Sequence, residues 1–369
     1  MTKYIKKYEN YLTLFLASLI ICAGLIMPYY FRAHDMIFHT SRVVGTITAI
    51  AEGQLIPAID MNLINGFGFS INLFYGVLFT YSSVLFSIVV NNVAIGIRIV
   101  VFLSVLLSAI TMYNFVKCVS KSEKMSLVVS LIYLFAPYRL SIIYTRFAAG
   151  EMLTFVFLPL IFHGLYNLFK GDGKKHYLVA IGVAGIVYSH NISIMFAAVL
   201  IFLYLLIHIK QVFKKDIFIK LFINAIFIIL ITLFFTAPLI QSKSSANYVA
   251  FDEGAMWNKE EMLKHTVTLQ QLFEINLKHG GYSATPEEKA AGIGTQMNLS
   301  IGIIIILSVL FTPVVYKKIS KEYKKDYLFL LITGMFFAYM CTQYFPWKLL
   351  PNSFRYNPVS MEIITTCYI

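Results

Sequence analysis

The chain has 369 residues, of which 59% are hydrophobic and 13% charged, whereas roughly a quarter of an average soluble domain is charged. This composition excludes an ordinary soluble domain and predicts an all-α polytopic membrane protein. The net charge of +12 does not indicate a nucleic-acid partner, because the lysines lie at the ends of apolar segments, as they do on the cytoplasmic side of a membrane. The four cysteines are far apart and indicate neither a disulfide framework nor a zinc site.

Runs of about 17–25 apolar residues mark about nine or ten candidate membrane helices. They lie near 11–30, 71–90, 97–116, 125–143, 149–169, 176–190, 192–209, 217–240, 299–316 and 326–345. The first run follows three lysines and is longer than the apolar core of a signal peptide, so we expect a retained first helix. Within the long polar stretch 241–298, we expect a helix from Glu260 to Phe273.

Charge placement predicts which side of the membrane each loop occupies. Basic clusters indicate the cytoplasmic side, together with the N-terminus, at 3–7, 117–124, 170–175, 210–220 and 317–325. The stretches 31–70 and 241–298 are then expected outside. An odd number of crossings must separate 31–70 from 117–124, although two apolar runs lie between them. We expect 97–116 to cross, and 71–90 to be re-entrant or to lie along the outer interface. The alternative is that the lysines of 117–124 break the rule.

The most informative polar residues follow the first helix. If this segment is helical, Asp35, His39, Arg42 and Thr46 fall on one face, beside an apolar stripe. Such a helix is amphipathic, as expected for an element at the outer membrane interface. We expect it to end near Glu52, with Gly53 as its C-terminal cap.

These residue types suggest acid–base chemistry on a phosphorylated substrate. Asp35 or an imidazole of His34 or His39 could deprotonate an acceptor hydroxyl, while Arg42 holds a phosphate. The alternative is that Asp35 merely caps the N-terminus of the helix and that His39 and Arg42 are interfacial polar groups.

A second polar cluster contains Arg139, Arg146 and Glu151, and the predicted sidedness places it at the outer face. Charges at such a depth usually face a cavity or a partner. Arg146 and Glu151 are five residues apart, so a shared role requires a bend, which Gly150 permits. The alternatives are an Arg–Glu pair that locks two helices together, and an Arg139 side chain that reaches lipid phosphates.

His190 lies at the polar break between two short apolar segments, which together suggest a helical hairpin. A single histidine in a helix turn is more often a hydrogen-bonded structural residue than a ligand. It becomes a candidate only if the outer ends of these helices converge on Asp35. The chain has no P-loop, no G-x-G-x-x-G that opens a helix, no HExxH and no G-x-S-x-G, so nucleotide chemistry is not expected.

Several short motifs run in one order through nearly the whole chain. They are His34-Asp35-Met36-Ile37-Phe38-His39, Gly53-Gln54-Leu55-Ile56-Pro57, Asn65-Gly66-Phe67-Gly68, Ala136-Pro137-Tyr138-Arg139, Arg146-Phe147-Ala148-Ala149-Gly150-Glu151 and Ser189-His190-Asn191. In this order they resemble the YfhO-like bacterial membrane proteins, including those labelled 6-pyruvoyl-tetrahydropterin synthase-related. The pterin label finds no support, because no cluster of three histidines suggests its zinc site.

The resemblance implies the GT-C class of glycosyltransferases, which take a sugar from a polyprenyl-phosphate carrier at the outer face of the membrane. It implies that Asp35 is the catalytic acidic residue, either as general base or as ligand of a divalent metal ion. Arg146 and Glu151 match a second polar motif of the family, and His190 matches its Ser-His motif.

The C-terminus departs from the family pattern after Tyr356. A one-base shift in the back-translated sequence that follows would restore the Ile-Gln-Phe-Pro-Trp-Arg motif of the family. We therefore expect a multi-helix membrane domain over 1–356 and an off-pattern tail over 357–369 from a shifted reading frame, which would make the chain a truncated product.

The favoured function is a glycosyltransferase of the bacterial cell membrane that modifies an extracytoplasmic glycopolymer or lipid. Its catalytic candidates are Asp35, His34 and His39, and its substrate-binding candidates are Arg42, Arg139, Arg146, Glu151 and His190. The alternative is a transporter or flippase for a lipid-linked or polar substrate, which charges that continue through the membrane midplane would favour. A third possibility is a non-catalytic assembly partner.

Overall fold

The computed structural model describes residues 2–27, 33–61, 63–245, 267, 269–273, 300–342 and 344–346, and within them it contains helices and two isolated β-bridges but no strand. The helices are α1 (Thr2–Ile21), α2 (Met36–Ala51), α3 (Ile71–Phe74), α4 (Leu78–Val90), α5 (Val93–Ser120), α6 (Glu123–Leu134), α7 (Pro137–Tyr144), α8 (Ala149–Lys170), α9 (Leu178–Ser189), α10 (Asn191–Ile207), α11 (Ile209–Val212), α12 (Lys215–Ser245), α13 (Leu269–Phe273), α14 (Ile303–Leu310), α15 (Thr312–Lys318) and α16 (Lys321–Met340). Short 3₁₀ helices lie at Ala23–Ile26 and Ile64–Gly66.

Three of the described helices are long and apolar enough to cross a membrane: α5, α8 and the part of α12 from Lys215 to Ser242. A fourth span results if α6 and α7 count as one bent helix. The prediction of an all-α membrane protein is thereby confirmed. The other predicted spans in the described part of the chain are shorter helices, so the number of nine or ten crossings stays a prediction.

Three predicted spans are wrong in their boundaries. The first helix ends at Ile21, where the Tyr144 hydroxyl donates to the Ile21 carbonyl oxygen at 2.5 Å. The predicted 125–143 helix breaks just before Pro137, whose ring disfavours the helical conformation in the preceding residue. The predicted 299–316 helix begins later, at Ile303, and breaks at Phe311.

The predicted 71–90 span is also interrupted. Its residues form the short helix α3, an irregular connection and α4, which has 13 residues. A two-residue turn, Asn91–Asn92, joins α4 to the 28-residue α5, and a Cβ at Gly96 would overlap Ser87 of α4. At 1.5 Å per residue, α4 therefore extends back only to about the middle of α5. This geometry is compatible with the prediction that α5 crosses the membrane and that 71–90 does not.

The core of this bundle is α8, which packs against α5 and α9 and is buried along most of its length. Small residues allow the close approach of α8 and α9. A Cβ at Gly182 would lie 2.6 Å from Ile161, and one at Gly164 would lie 2.6 Å from the Val179 nitrogen. The α12 helix packs on α9 along one side only and exposes many large apolar side chains on the other.

The chain divides into two compact units, of which the first comprises 1–135 and 142–245 and the second 136–141 and 246–369. In the described part of the second unit, Val267, Leu272 and Cys341 form a small buried cluster, and a parallel β-bridge pairs Val267 with Thr342. The predicted helix from Glu260 to Phe273 is described only over α13, and the predicted tail at 357–369 lies outside the described residues.

Candidate functional site

Helix α2 is amphipathic, as predicted, but its polar face is turned into the protein. His39 and Arg42 are buried, with exposed fractions of 1% and 0%, whereas Ile37 is 76% exposed. Buried polar groups are costly unless they have partners, so this inward stripe marks a polar interior. The predicted C-terminal cap is confirmed, since Glu52 follows the last helical residue and Gly53 has a φ of +90°.

Asp35 occupies the N-cap position of α2, but its side chain makes no capping hydrogen bond. Its role is therefore not that of an ordinary cap, which would accept a bond from a backbone N–H of the first turn. The carboxylate is partly buried, and this burial raises its pKa above the ordinary value, against the opposing effect of Arg146 and His34. A carboxylate that is harder to ionise is also a stronger base.

Two backbone hydrogen bonds attach this segment to the turn before α8. The His34 N–H donates to the Thr145 carbonyl at 3.0 Å, and the Asp35 N–H donates to the Arg146 carbonyl at 2.9 Å. The main chain therefore sets the position of Asp35 next to Arg146, independently of side-chain rotamers. Two motifs more than 100 residues apart in the sequence meet at this point.

Arg146 and Glu151 form an ion pair, with 2.9 Å between the Arg146 Nη1 and Glu151 Oε1 atoms. The predicted bend between them exists, but it lies at Phe147, whose φ of +57° is in the left-handed region, and not at Gly150. Glu151 is wholly buried, while the Arg146 side chain is 25% exposed. The arginine is thus the member of the pair that a ligand can contact.

The break between α9 and α10 packs against the first turn of α8, which carries Glu151. The Ser189 carbonyl lies against both Gly76 and Gly150, and a Cβ at Gly150 would be 2.5 Å from its oxygen. His190, at the break between α9 and α10, is buried, and its Nδ1 atom lies 2.8 Å from the Ser193 hydroxyl. His190 is therefore a hydrogen-bonded residue within this cluster.

Tyr75, in the connection between α3 and α4, lies at the centre of these residues. Its ring centroid is 4.8 Å from the Arg42 guanidinium carbon, 5.6 Å from the His39 ring and 6.2 Å from the His190 ring. The charges of Asp35, Arg146 and Glu151 also act on its hydroxyl. Reasoning from the sequence did not select Tyr75 as a site residue, because a tyrosine is unremarkable among the 24 of this chain.

Arg42 holds the surrounding loops together. Its Nη2 atom donates to the Asn72 side-chain oxygen and to the Gly76 carbonyl, both at 3.2 Å. Asp60, which is also buried, packs against α2 at Gly45, where a Cβ would overlap its carboxylate. Sequence reasoning missed Asp60 and Asn72. One feature of the sequence could have indicated Asp60, since it is the one charged residue between Gln54 and Ser70.

Two further predictions concern Arg139 and a metal ion. Arg139 belongs to the second compact unit, and its side chain is buried there. No group of three or more His, Cys, Asp and Glu residues that could hold a metal ion occurs in the described part of the chain.

No protein-family model matches the chain, and no solved structure matches it at a significant level. The chain is 25% identical to an uncharacterized protein of Lactococcus lactis subsp. cremoris (strain MG1363) over 358 residues, which cover 93% of this chain and 55% of that protein. The chain thus spans about half the length of this relative. The resemblance to YfhO-like and GT-C proteins stays a prediction.

Proposed function

We propose that this protein is a membrane glycosyltransferase of the GT-C type. It transfers a sugar from a polyprenyl-phosphate carrier to a hydroxyl group of an extracytoplasmic glycopolymer or lipid. The observation that carries the proposal is the partly buried carboxylate of Asp35, which does not cap α2. Backbone hydrogen bonds hold Asp35 beside the Arg146–Glu151 ion pair. A base next to a cation suits a reaction that deprotonates an alcohol and releases a phosphate.

In the proposed reaction, the acceptor hydroxyl attacks the anomeric carbon of the donor sugar. The carboxylate of Asp35 takes the hydroxyl proton as the new carbon–oxygen bond forms. The bond between the anomeric carbon and the carrier phosphate breaks, and the phosphate leaves with the electron pair. Arg146 stabilises its negative charge through charge-assisted hydrogen bonds. The raised pKa of Asp35 increases its strength as a base.

The proposed roles of the predicted residues follow from their exposure. Arg146 is accessible and takes the phosphate, whereas Arg42 and His39 are buried and position Tyr75 and the adjoining backbone. Glu151 orients Arg146 through the ion pair. His34 is partly buried next to Asp35 and favours the ionised form of its carboxylate. No step of the proposed reaction is assigned to a metal ion.

The competing proposal of a transporter receives less support from the distribution of charge. A transport path requires polar or charged groups along the membrane interior. In α5 the charged residues are Arg98 and Lys117, and in α8 they are Glu151 and Lys170, all near the helix ends. The candidate site therefore occupies one end of the bundle, as expected for an enzyme that acts at a membrane face.

The proposal is tested by Asp35→Asn, with the sugar content of the envelope polymers as the readout in cells that carry this variant as their only copy. We expect transfer to fall by about 100-fold or more, since general bases typically contribute 10²–10⁴. Glu52→Gln is the matched control, because this exposed acid lies at the opposite end of α2. Normal glycosylation by an Asp35→Asn protein that is present at its usual level in the membrane would refute the catalytic assignment.

A further inference from the structure

The loop between α2 and α3, from Gln54 to Ser70, exposes large apolar side chains along most of its length. Its exposed large side chains are Leu55, Ile56, Ile59, Met61, Ile64, Phe67 and Phe69. Phe67 is 86% exposed and Leu55 is 72% exposed. Contiguous apolar patches on a protein surface mark a site of interaction with another protein, a ligand or a membrane.

This exposure results from a fixed loop geometry. Asp60 and Phe69 exchange backbone hydrogen bonds of 2.9 and 3.0 Å, which close the loop into a hairpin. Its base is attached through the Pro57 carbonyl, which accepts from Asn72, and through the Leu55 carbonyl, which accepts from the Tyr81 hydroxyl of α4. The loop therefore presents its apolar side chains from a defined platform beside the candidate site.

The tip of the hairpin has a backbone conformation that projects Phe67 outwards. Gly66 and Gly68 on either side of Phe67 have φ values of +88° and +83°. Ile64 and Asn65 also have positive φ values, which is rare for a β-branched residue such as isoleucine. A non-glycine residue in this region costs free energy, and such residues cluster at functional sites.

The charge of the loop indicates the chemistry of its partner. Asp60 is its only charged residue, and it is buried against α2. A loop without lysine or arginine has no electrostatic attraction to lipid phosphates or to nucleic acid, so apolar burial is the main interaction that its surface offers. The α4 helix, to which the loop is attached, exposes Leu85, Ile88 and Val89 in the same manner.

We propose that the Gln54–Ser70 hairpin inserts its tip into the bilayer leaflet at the Asp35 end of the bundle. The partner is the acyl-chain and interfacial region of the membrane that the candidate spans already cross. Aromatic side chains such as Phe67 are suited to this depth. The insertion fixes the depth of the Asp35 site relative to the lipid surface, and it does not depend on the proposed transferase activity.

The test uses the full-length protein with its four native cysteines replaced by alanine and a single Phe67→Cys substitution labelled with the fluorophore NBD. The protein is reconstituted into phosphatidylcholine vesicles. We expect blue-shifted emission, strong quenching by lipids with brominated acyl chains and little quenching by aqueous iodide. Glu52→Cys, just before the hairpin and exposed, is the control that iodide should quench.

Two results would overturn the proposal. Iodide quenching at position 67 equal to that at position 52 would place the tip in water. Protection from both iodide and brominated lipid would show that a protein surface covers it, such as a second copy of the chain or another of its segments. Ile56→Cys reports on the same hairpin with the same outcomes if the Phe67→Cys protein does not fold.

Discussion

Arg146 and Glu151 form an ion pair of 2.9 Å across a sharp turn, with the carboxylate wholly buried and the guanidinium one quarter exposed. The turn passes through Phe147 in a left-handed conformation, and its carbonyl groups at Thr145 and Arg146 accept the N–H groups of His34 and Asp35. This one turn therefore orients the accessible cation and positions the candidate base.

The unequal burial of the ion pair predicts unequal costs of removing its members. Arg146→Gln takes the guanidinium away from a fully buried carboxylate and should lower the free energy of unfolding by about 3 kcal/mol. Glu151→Gln leaves a partly solvated arginine and should cost less, about 1 kcal/mol. Thermal unfolding of the purified protein in mild detergent measures both. If the two substitutions lowered the free energy of unfolding equally, the burial of Glu151 would not determine the cost of breaking the ion pair.

The same two substitutions should move the acid limb of the pH–activity profile in opposite directions. The proposed mechanism requires ionised Asp35, so activity should fall as the pH decreases through the raised pKa of this carboxyl. Arg146 lowers this pKa and Glu151 raises it, so the limb should move to higher pH in Arg146→Gln and to lower pH in Glu151→Gln. The measurement is kcat against pH at saturating donor. Shifts in the same direction would exclude Asp35 as the titrating group.

Asp35→Asn should leave the protein as stable as the wild type or more stable at neutral pH, even though we expect it to reduce the proposed transfer by about 100-fold or more. The folded-state pKa of Asp35 is raised above 3.8, so the folded chain holds the proton more tightly than the unfolded chain. The resulting stabilisation is complete below pH 3.8 and is lost as the pH rises through the folded-state pKa. Above the folded-state pKa, the wild-type protein must bury the charged carboxylate, and asparagine avoids this free-energy cost. A large decrease in melting temperature at neutral pH would indicate a structural role for Asp35.

Gly45→Ala should destabilise the protein through the buried contact between α2 and the apolar hairpin. A Cβ at this position would overlap the carboxylate of Asp60, and neither group has free space. We expect a loss of about 1–3 kcal/mol, as for other overpacked cores. Gly334→Ala in α16 is the control, since a Cβ there meets nothing within 4 Å and should add up to about 1 kcal/mol of helix stability. The measurement is the melting temperature of each variant compared with that of the wild type.

Much of the helical architecture could be predicted from composition and apolar run length, because both follow from the thickness of a bilayer. The α5, α8 and α12 helices occur where apolar runs were found, and α2 ends at Ala51, just before Glu52 and Gly53, as expected. Helix boundaries were predicted less well. At the end of α1, Ile21 accepts a hydrogen bond from Tyr144, a partner 123 residues away that no local pattern reveals.

The chemistry-bearing residues Asp35, Arg146, Glu151 and His190 were identifiable by type and setting, but their grouping was not. Hydrophobic periodicity specified that α2 has a polar face, and it assigned that face to the membrane interface. Only the packed structure shows that the face is buried and that His39 and Arg42 surround Tyr75.

The sequence by itself determined the membrane class of this protein, because transfer free energies depend on composition and segment length and not on which helices are neighbours. Tertiary structure alone decided that Asp35 lies beside Arg146 and that Gly76 and Gly150 meet at the Ser189 carbonyl. These contacts join segments that are far apart in the chain. They depend on helix crossing, loop closure and close backbone approach, which no local sequence pattern encodes.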